Sequence, residues 1–146
     1  MINVYNNEKL AFSVVHNFIS KEECEEMLAY TWQNLKPADV ISSDGKGQKH
    51  KGRTGSNHWL LHNHDEVTKR VGERISSLIG IPLENAESYQ VVYYTGGTEY
   101  NDHHDAFDHE TEEGRKHLTR GGQRIYTALG YLNDVEEGGA TEFRDL

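Results

Sequence analysis

Apolar residues along this chain change their spacing twice, and each change predicts a different kind of element. Residues 10–15 form a short run rich in apolar and β-branched side chains, which predicts a strand ending near Asn17. Ser20 followed three residues later by Glu23 forms a capping-box pattern, and few helix breakers follow it. A helix is therefore expected over 21–30, with Cys24, Met27 and Leu28 on its inner face. From 36 to 57 the periodicity is weak, and Pro37, Gly45, Gly47, Gly52 and Gly55 lie among polar residues, as in a mobile loop. Helical spacing returns over 65–79 through Val67, Val71, Ile75, Leu78 and Ile79, closed by Gly80 and Pro82. Residues 89–94 and 124–133 are β-rich, and the charged stretch between them, 108–122, reads as a loop. Helices followed by strands predict an α+β fold.

Composition narrows the function classes. A chain of 146 residues with 35% apolar side chains supports one core, so a single domain over 1–146 is expected. The 24 acidic and 15 basic residues, net charge -9, disfavour nucleic acid and anionic membrane as partners, since both are polyanions. A small organic acid stays compatible, because local donors outweigh a distant, screened charge. Cys24 is the sole cysteine, which excludes an intramolecular disulfide framework and a cysteine-based zinc cluster and fits a reducing, cytoplasmic setting. The first nine residues are polar and the apolar run 10–15 is short, so neither an export signal nor a membrane span is expected.

Chemistry concentrates in residues 100–108, Tyr-Asn-Asp-His-His-Asp-Ala-Phe-Asp, just beyond Gly96 and Gly97. On an extended backbone, side chains alternate sides, so His103 and Asp105 project together. An imidazole nitrogen and a carboxylate oxygen suit ferrous iron, with a second histidine completing a two-histidine, one-carboxylate set that leaves open positions. Asp102 and His104 form the opposite pair, and alternation alone does not choose between the two. The closely spaced His58, His62 and His64 are expected as surface residues, and His109 and His117 as part of the charged loop.

The surroundings of this segment carry a family resemblance. The run from Glu87 to Asp105, with Tyr94, Gly96-Gly97 and Tyr100, resembles the approach to the His-x-Asp of the prolyl 4-hydroxylases, which are Fe(II)- and 2-oxoglutarate-dependent dioxygenases. A second run, from Gly121-Gly-Gln-Arg124 through Thr127, Tyr131 and Asn133 to Gly139 and Phe143, is similar to that family's next strands and acidic-glycine turn. Weaker likeness at Asn17–Ser20, Glu23-Cys24, Arg53–Ser56 and Trp59-Leu60 extends it over most of the chain.

The resemblance selects His103 and Asp105 as two protein ligands of Fe(II) and as the catalytic pair. It places Tyr94, Thr127 and Tyr131 at the 2-oxoglutarate pocket, and Tyr100 and Arg124 near substrate. Period-two spacing puts Ile125, Thr127, Leu129 and Tyr131 on one face and Arg124 on the other. The implied reaction uses O2 to hydroxylate an unactivated carbon, of a prolyl residue in a peptide or of a small molecule, while 2-oxoglutarate is decarboxylated to succinate. Ascorbate is a common reductant among such relatives. The implied fold is a double-stranded β-helix, a cupin-like jelly roll, with N-terminal helices packed on it. The family's distal iron histidine and the basic residue for the 2-oxoglutarate tail lie after the acidic-glycine turn. They are therefore expected past Leu146, and the barrel is expected to be incomplete at its C-terminus. The alternative class is a non-catalytic metal-binding or interaction module derived from that fold.

Overall fold

The computed structural model describes residues 1–6, 11–37, 40–41, 47–48 and 53–144. The fold is mixed α and β, with three helices and small antiparallel sheets. β1 (Ile2–Asn6) and β2 (Ala11–Val15) form a hairpin in which Ile2 pairs with Val15 and Tyr5 with Phe12. The Tyr5 and Phe12 rings stack at 4.7 Å, and Phe143 stacks on Phe12 at 5.5 Å. β1 falls in the stretch expected to be merely polar. Its alternation is masked by asparagines, and the partner strand supplies what its own sequence lacks.

α1 (Lys21–Trp32) begins as the capping box predicts: Glu23 N–H donates to Ser20 Oγ and Ser20 N–H donates to the Glu23 carboxylate. Its buried face differs from the expected one. Glu23, Met27 and Thr31 are inside, while Cys24 and Leu28 are half-buried. The cause is α2 (Glu66–Ile79), whose Arg70 and Arg74 bind the Glu23 carboxylate at 2.9 and 2.8 Å and turn that face inward. Arg74 also donates to the Phe18 carbonyl. Asp65 caps α2 by accepting from Thr68 N–H, and Gly80 ends it in the left-handed conformation, φ 71°. Val67 and Val71 are buried as predicted, but Leu78 and Ile79 overhang the core and are exposed.

The core consists of Met27, Leu60, Val67 and Val71, with Ile19, Ile75, Tyr89, Val91 and Leu132 packed around it. It lies between the two helices and a three-stranded sheet, order β3-β6-β7, made of Lys36–Pro37, Ser56–Leu60 and Tyr89–Tyr93. β6 and β7 pair from Ser56↔Tyr93 to Leu60↔Tyr89. β4 (Val40–Ile41) and β5 (Gly47–Gln48) make a separate two-residue ladder. The stretch expected as a mobile loop, 36–57, thus contributes β3, β4, β5 and the start of β6, while residues 38–39, 42–46 and 49–52 lie outside the described residues.

Two expectations fail in the second half. Residues 112–121 form α3 (Glu112–Gly121) rather than part of a loop, capped by Thr111 Oγ1 accepting from Gly114 N–H. Its acidic first turn and its Glu112–Lys116 and Glu113–His117 contacts, 3.1 and 3.4 Å, favour a helix that lacks an apolar stripe. Residues 124–133 do not form a strand. No ladder partner lies beside them among the described residues, and Ile125, Tyr126, Leu129 and Tyr131 stay 62–73% exposed whatever their register. Strands therefore come before, between and after the first two helices, and a helix closes the series, instead of helices preceding strands. Among the described residues, no helix is long and apolar enough to cross a membrane.

Candidate functional site

Beyond β7 the chain reverses in a tight turn. Thr98 N–H donates to the Thr95 carbonyl at 2.9 Å, Thr95 N–H donates to Thr98 Oγ1 at 2.7 Å, and Gly97 takes φ 80°. This lays Glu99 and Tyr100 beside Arg53 and Thr54: Thr54 N–H donates to the Glu99 carbonyl, and Arg53 pairs with Tyr100 in an isolated antiparallel bridge. The Arg53 guanidinium sits 4.8 Å from the Tyr100 ring centre. Tyr94 covers Gly55, where a Cβ would come within 2.8 Å of the ring and of the Tyr93 carbonyl oxygen, so only glycine fits. Burial pushes the Tyr94 hydroxyl above its ordinary pKa, and the Arg53 charge opposes that shift.

The Tyr100 ring stacks on the His103 ring at 3.7 Å and 21°. From Asn101 to Asp108 the backbone is irregular, with bends at Asp102 and at 105–106, and not the strand end expected. His103 and Asp105 nevertheless meet: His103 Nε2 lies 3.4 Å from Asp105 Oδ1, with side chains 39% and 48% exposed. His103 Nδ1 is 2.7 Å from the Asn101 carbonyl oxygen. A carbonyl only accepts, so Nδ1 carries a proton, and Nε2 is the ring nitrogen that faces the carboxylate.

The competing pair is not brought together. Asp102 Oδ2 pairs instead with Arg144 at 3.4 Å, on the wall of a polar cleft of about 400 Å³ shared with Glu99, Tyr100 and Asn101.

Residues 123–127 border the same segment from the other side. Thr127 Oγ1 donates to Asp105 Oδ2 at 2.6 Å, leaving Oδ1 toward His103. Arg124 reaches Glu87 through Nε and Nη2, at 2.5 and 2.7 Å, donates from Nη1 to the Asp105 carbonyl at 3.2 Å, and lies over the Phe107 ring at 4.3 Å. This pairing holds the Glu87 carboxyl below its ordinary pKa and raises that of Arg124. The expected separation of Arg124 and Thr127 on opposite faces is therefore not realised: without a pleat, both contact Asp105. Tyr131 bonds Thr141 Oγ1 at 2.9 Å, away from these contacts. Glu87 and Gln123, both inside the family-like runs, carried no assignment. Their partners lie 37 and 16 residues away, and no local spacing reveals them.

His58 and His64 flank Tyr30 at 5.6 and 4.0 Å, and His62 Nδ1 is buried without a hydrogen-bond partner. His58 and His62 are half-buried rather than on the surface. His117 stacks on Phe107 at 4.7 Å and 7°. No group of three histidine, cysteine or acidic side chains is placed to hold a metal among the described residues. The His103–Asp105 pair itself fits one ion. Two donors each about 2.1 Å from a first-row cation stand roughly 3–3.5 Å apart.

Comparison with known proteins decides the family. No protein-family model matches the chain. Probable prolyl 4-hydroxylase 8 of Arabidopsis thaliana is 39% identical over 143 residues, 97% of this chain and 47% of the relative. Prolyl 4-hydroxylase 5 of the same plant is 39% identical over 131 residues, covering 89% of this chain and 43% of the relative. The chain is of the prolyl 4-hydroxylase type. It spans about half the length of the curated relatives it matches, including prolyl 4-hydroxylase 1, of which it covers 45% at 38% identity. In this prolyl 4-hydroxylase-type chain the His-x-Asp segment lies between β7 and α3 in the sequence.

Proposed function

We propose that this chain is part of a single dioxygenase domain that hydroxylates a prolyl residue of a peptide with Fe(II), 2-oxoglutarate and O2. The observation that carries the reading is His103 Nε2 facing Asp105 Oδ1 at 3.4 Å, both side chains open to solvent. Iron bound there would supply the oxidising chemistry, with one oxygen atom going to the substrate carbon and the other to succinate as 2-oxoglutarate loses CO2. The chain's own residues bind and orient. His103 and Asp105 hold the metal, and Asn101 fixes the imidazole tautomer through its carbonyl. Thr127 orients the carboxylate and, with Tyr94 and Tyr131, is assigned to the 2-oxoglutarate pocket. Tyr100 and Arg124 border the substrate side, and ascorbate would serve to keep the iron reduced. The sheet β3-β6-β7 together with residues 122–144 belongs, in this reading, to a jelly roll that further strands complete, and those strands carry the third iron ligand.

A second reading, a non-catalytic metal-binding or interaction module, is favoured by the two-donor set among the described residues. Succinate formation separates the two. A longer form of the protein that includes the region relatives have beyond this one should convert 2-oxoglutarate to succinate with Fe(II). His103→Ala and Asp105→Ala should each lower the rate more than about 100-fold. A folded longer form that takes up Fe(II) and makes no succinate establishes the module reading instead.

A further inference from the structure

The segment that carries Asp105 has no backbone ladder to hold it among the described residues, yet it is gripped at two positions, Asp105 and Phe107. Gln123 Oε1 accepts from Phe107 N–H at 2.7 Å while its Nε2 donates to the Phe107 carbonyl at 2.9 Å. A primary amide presents one donor and one acceptor side by side, so this side chain does what a neighbouring strand's backbone would do. The same Oε1 accepts from Arg124 N–H at 2.9 Å, tying the amide to the next residue. Arg124 then holds the Asp105 carbonyl, and Glu87, just before β7, holds Arg124.

We infer that Gln123, backed by the Glu87–Arg124 pair, is a positioning clamp that keeps the Asp105 carboxylate facing His103 Nε2 and so sets metal affinity. The inference rests on the reading of His103 and Asp105 as metal ligands and assigns no contact between Gln123 and the metal. Asp105 Oδ1 reaches His103 only if the backbone at 105–107 keeps its bend. Phe107 is the residue whose two backbone groups Gln123 fixes, and its ring is further held between Arg124 and His117. Loss of the amide would free this backbone and let the carboxylate turn to solvent, from which it is already half exposed.

The test is a Co(II) titration of the chain followed through the paramagnetic shift of the His103 ring protons. Wild type should bind, and Asp105→Ala should abolish the shift at the His103 ring protons. Gln123→Leu, which removes all three side-chain bonds, should weaken binding by about 10-fold or more. Gln123→Glu sets an oxygen against the Phe107 carbonyl while adding a negative charge near the metal. The clamp predicts weaker binding than wild type, whereas charge alone predicts tighter binding. Amide exchange in α1 and α2 should be unchanged in both variants, because Gln123 is exposed and outside the core. If wild type shows no Co(II) at His103, the metal reading falls and the clamp with it. If wild type binds there but either Gln123 variant binds within about twofold of it, or Gln123→Glu binds more tightly, the clamp alone is overturned.

Discussion

Around α1 and α2 a carboxylate is buried: Glu23 is 6% exposed and is gripped by the guanidiniums of the more exposed Arg70 and Arg74, in a body whose core is Met27, Leu60, Val67 and Val71. Around His103 and Asp105 the polar groups stay open to water, stacked on Tyr100 and bonded to side chains from residues 123–127. The first region is held by area removed from water and the second by directional contacts that solvent can compete for. A metal site needs the second kind. Its donors must be fixed, yet reachable by ion, cosubstrate and substrate.

The difference can be broken from the body's side with the largest effect. Leu60 is 2% exposed, and Leu60→Ala should cost about 3 kcal/mol, read as a lower midpoint in urea with the slope unchanged. The His103–Asp105 contact should survive in the molecules that remain folded. Glu23→Gln should cost less, about 2 kcal/mol, by replacing a charged acceptor shared by Arg70 and Arg74 with a neutral one.

Glu23 also gives the body a pH signature. The bond from Arg74 leads in holding its carboxyl down, from an ordinary value of 4.5 to about 2. A carboxyl depressed in the folded state contributes stability that is fully present above the unfolded value. That contribution is lost as pH falls through the folded one. The loss should therefore run from about pH 4.5 down to about pH 2, and acid titrations of Glu23→Gln should lack this part of the decline. An unchanged acid profile would remove Glu23 from the account of the body's stability.

The smallest effect sharpens the comparison from the other side. Thr127→Val keeps the side chain's shape and removes the hydroxyl that orients Asp105. Metal affinity should drop several-fold, at the low end of what outer contacts of this kind contribute. The thermal midpoint should stay within about a degree, since the bond is exposed and the core untouched. A lowered midpoint with unchanged affinity would make Thr127 a stability residue instead.

The sequence carried much of this arrangement, and what it missed has a common cause. Ser20-x-x-Glu23 and the Asp65 to Gly80 span marked both core helices, because caps and helical spacing act within a few residues. Which face of α1 is buried was misread: Glu23 goes inside only because Arg70 and Arg74, 47 and 51 residues away, neutralise it there. α3 was hidden because the contacts along it are between polar side chains one turn apart, Glu112 with Lys116 and Glu113 with His117, with no apolar stripe to mark them.

The chemistry of the site divides in the same way. That an imidazole and a carboxylate stand two residues apart, followed by a Gly-Gly-Gln-Arg run, is written in the chain and sufficed to suggest the family. The tertiary structure decided that Asp102 turns to Arg144 while Asp105 turns to His103, and that Gln123, Arg124 and Thr127 converge on residues 105–107. Local sequence fixes what a short stretch prefers, because caps and turns are satisfied by near neighbours. Which donor meets which acceptor across 16 to 37 residues depends on where the packed body sets the two ends.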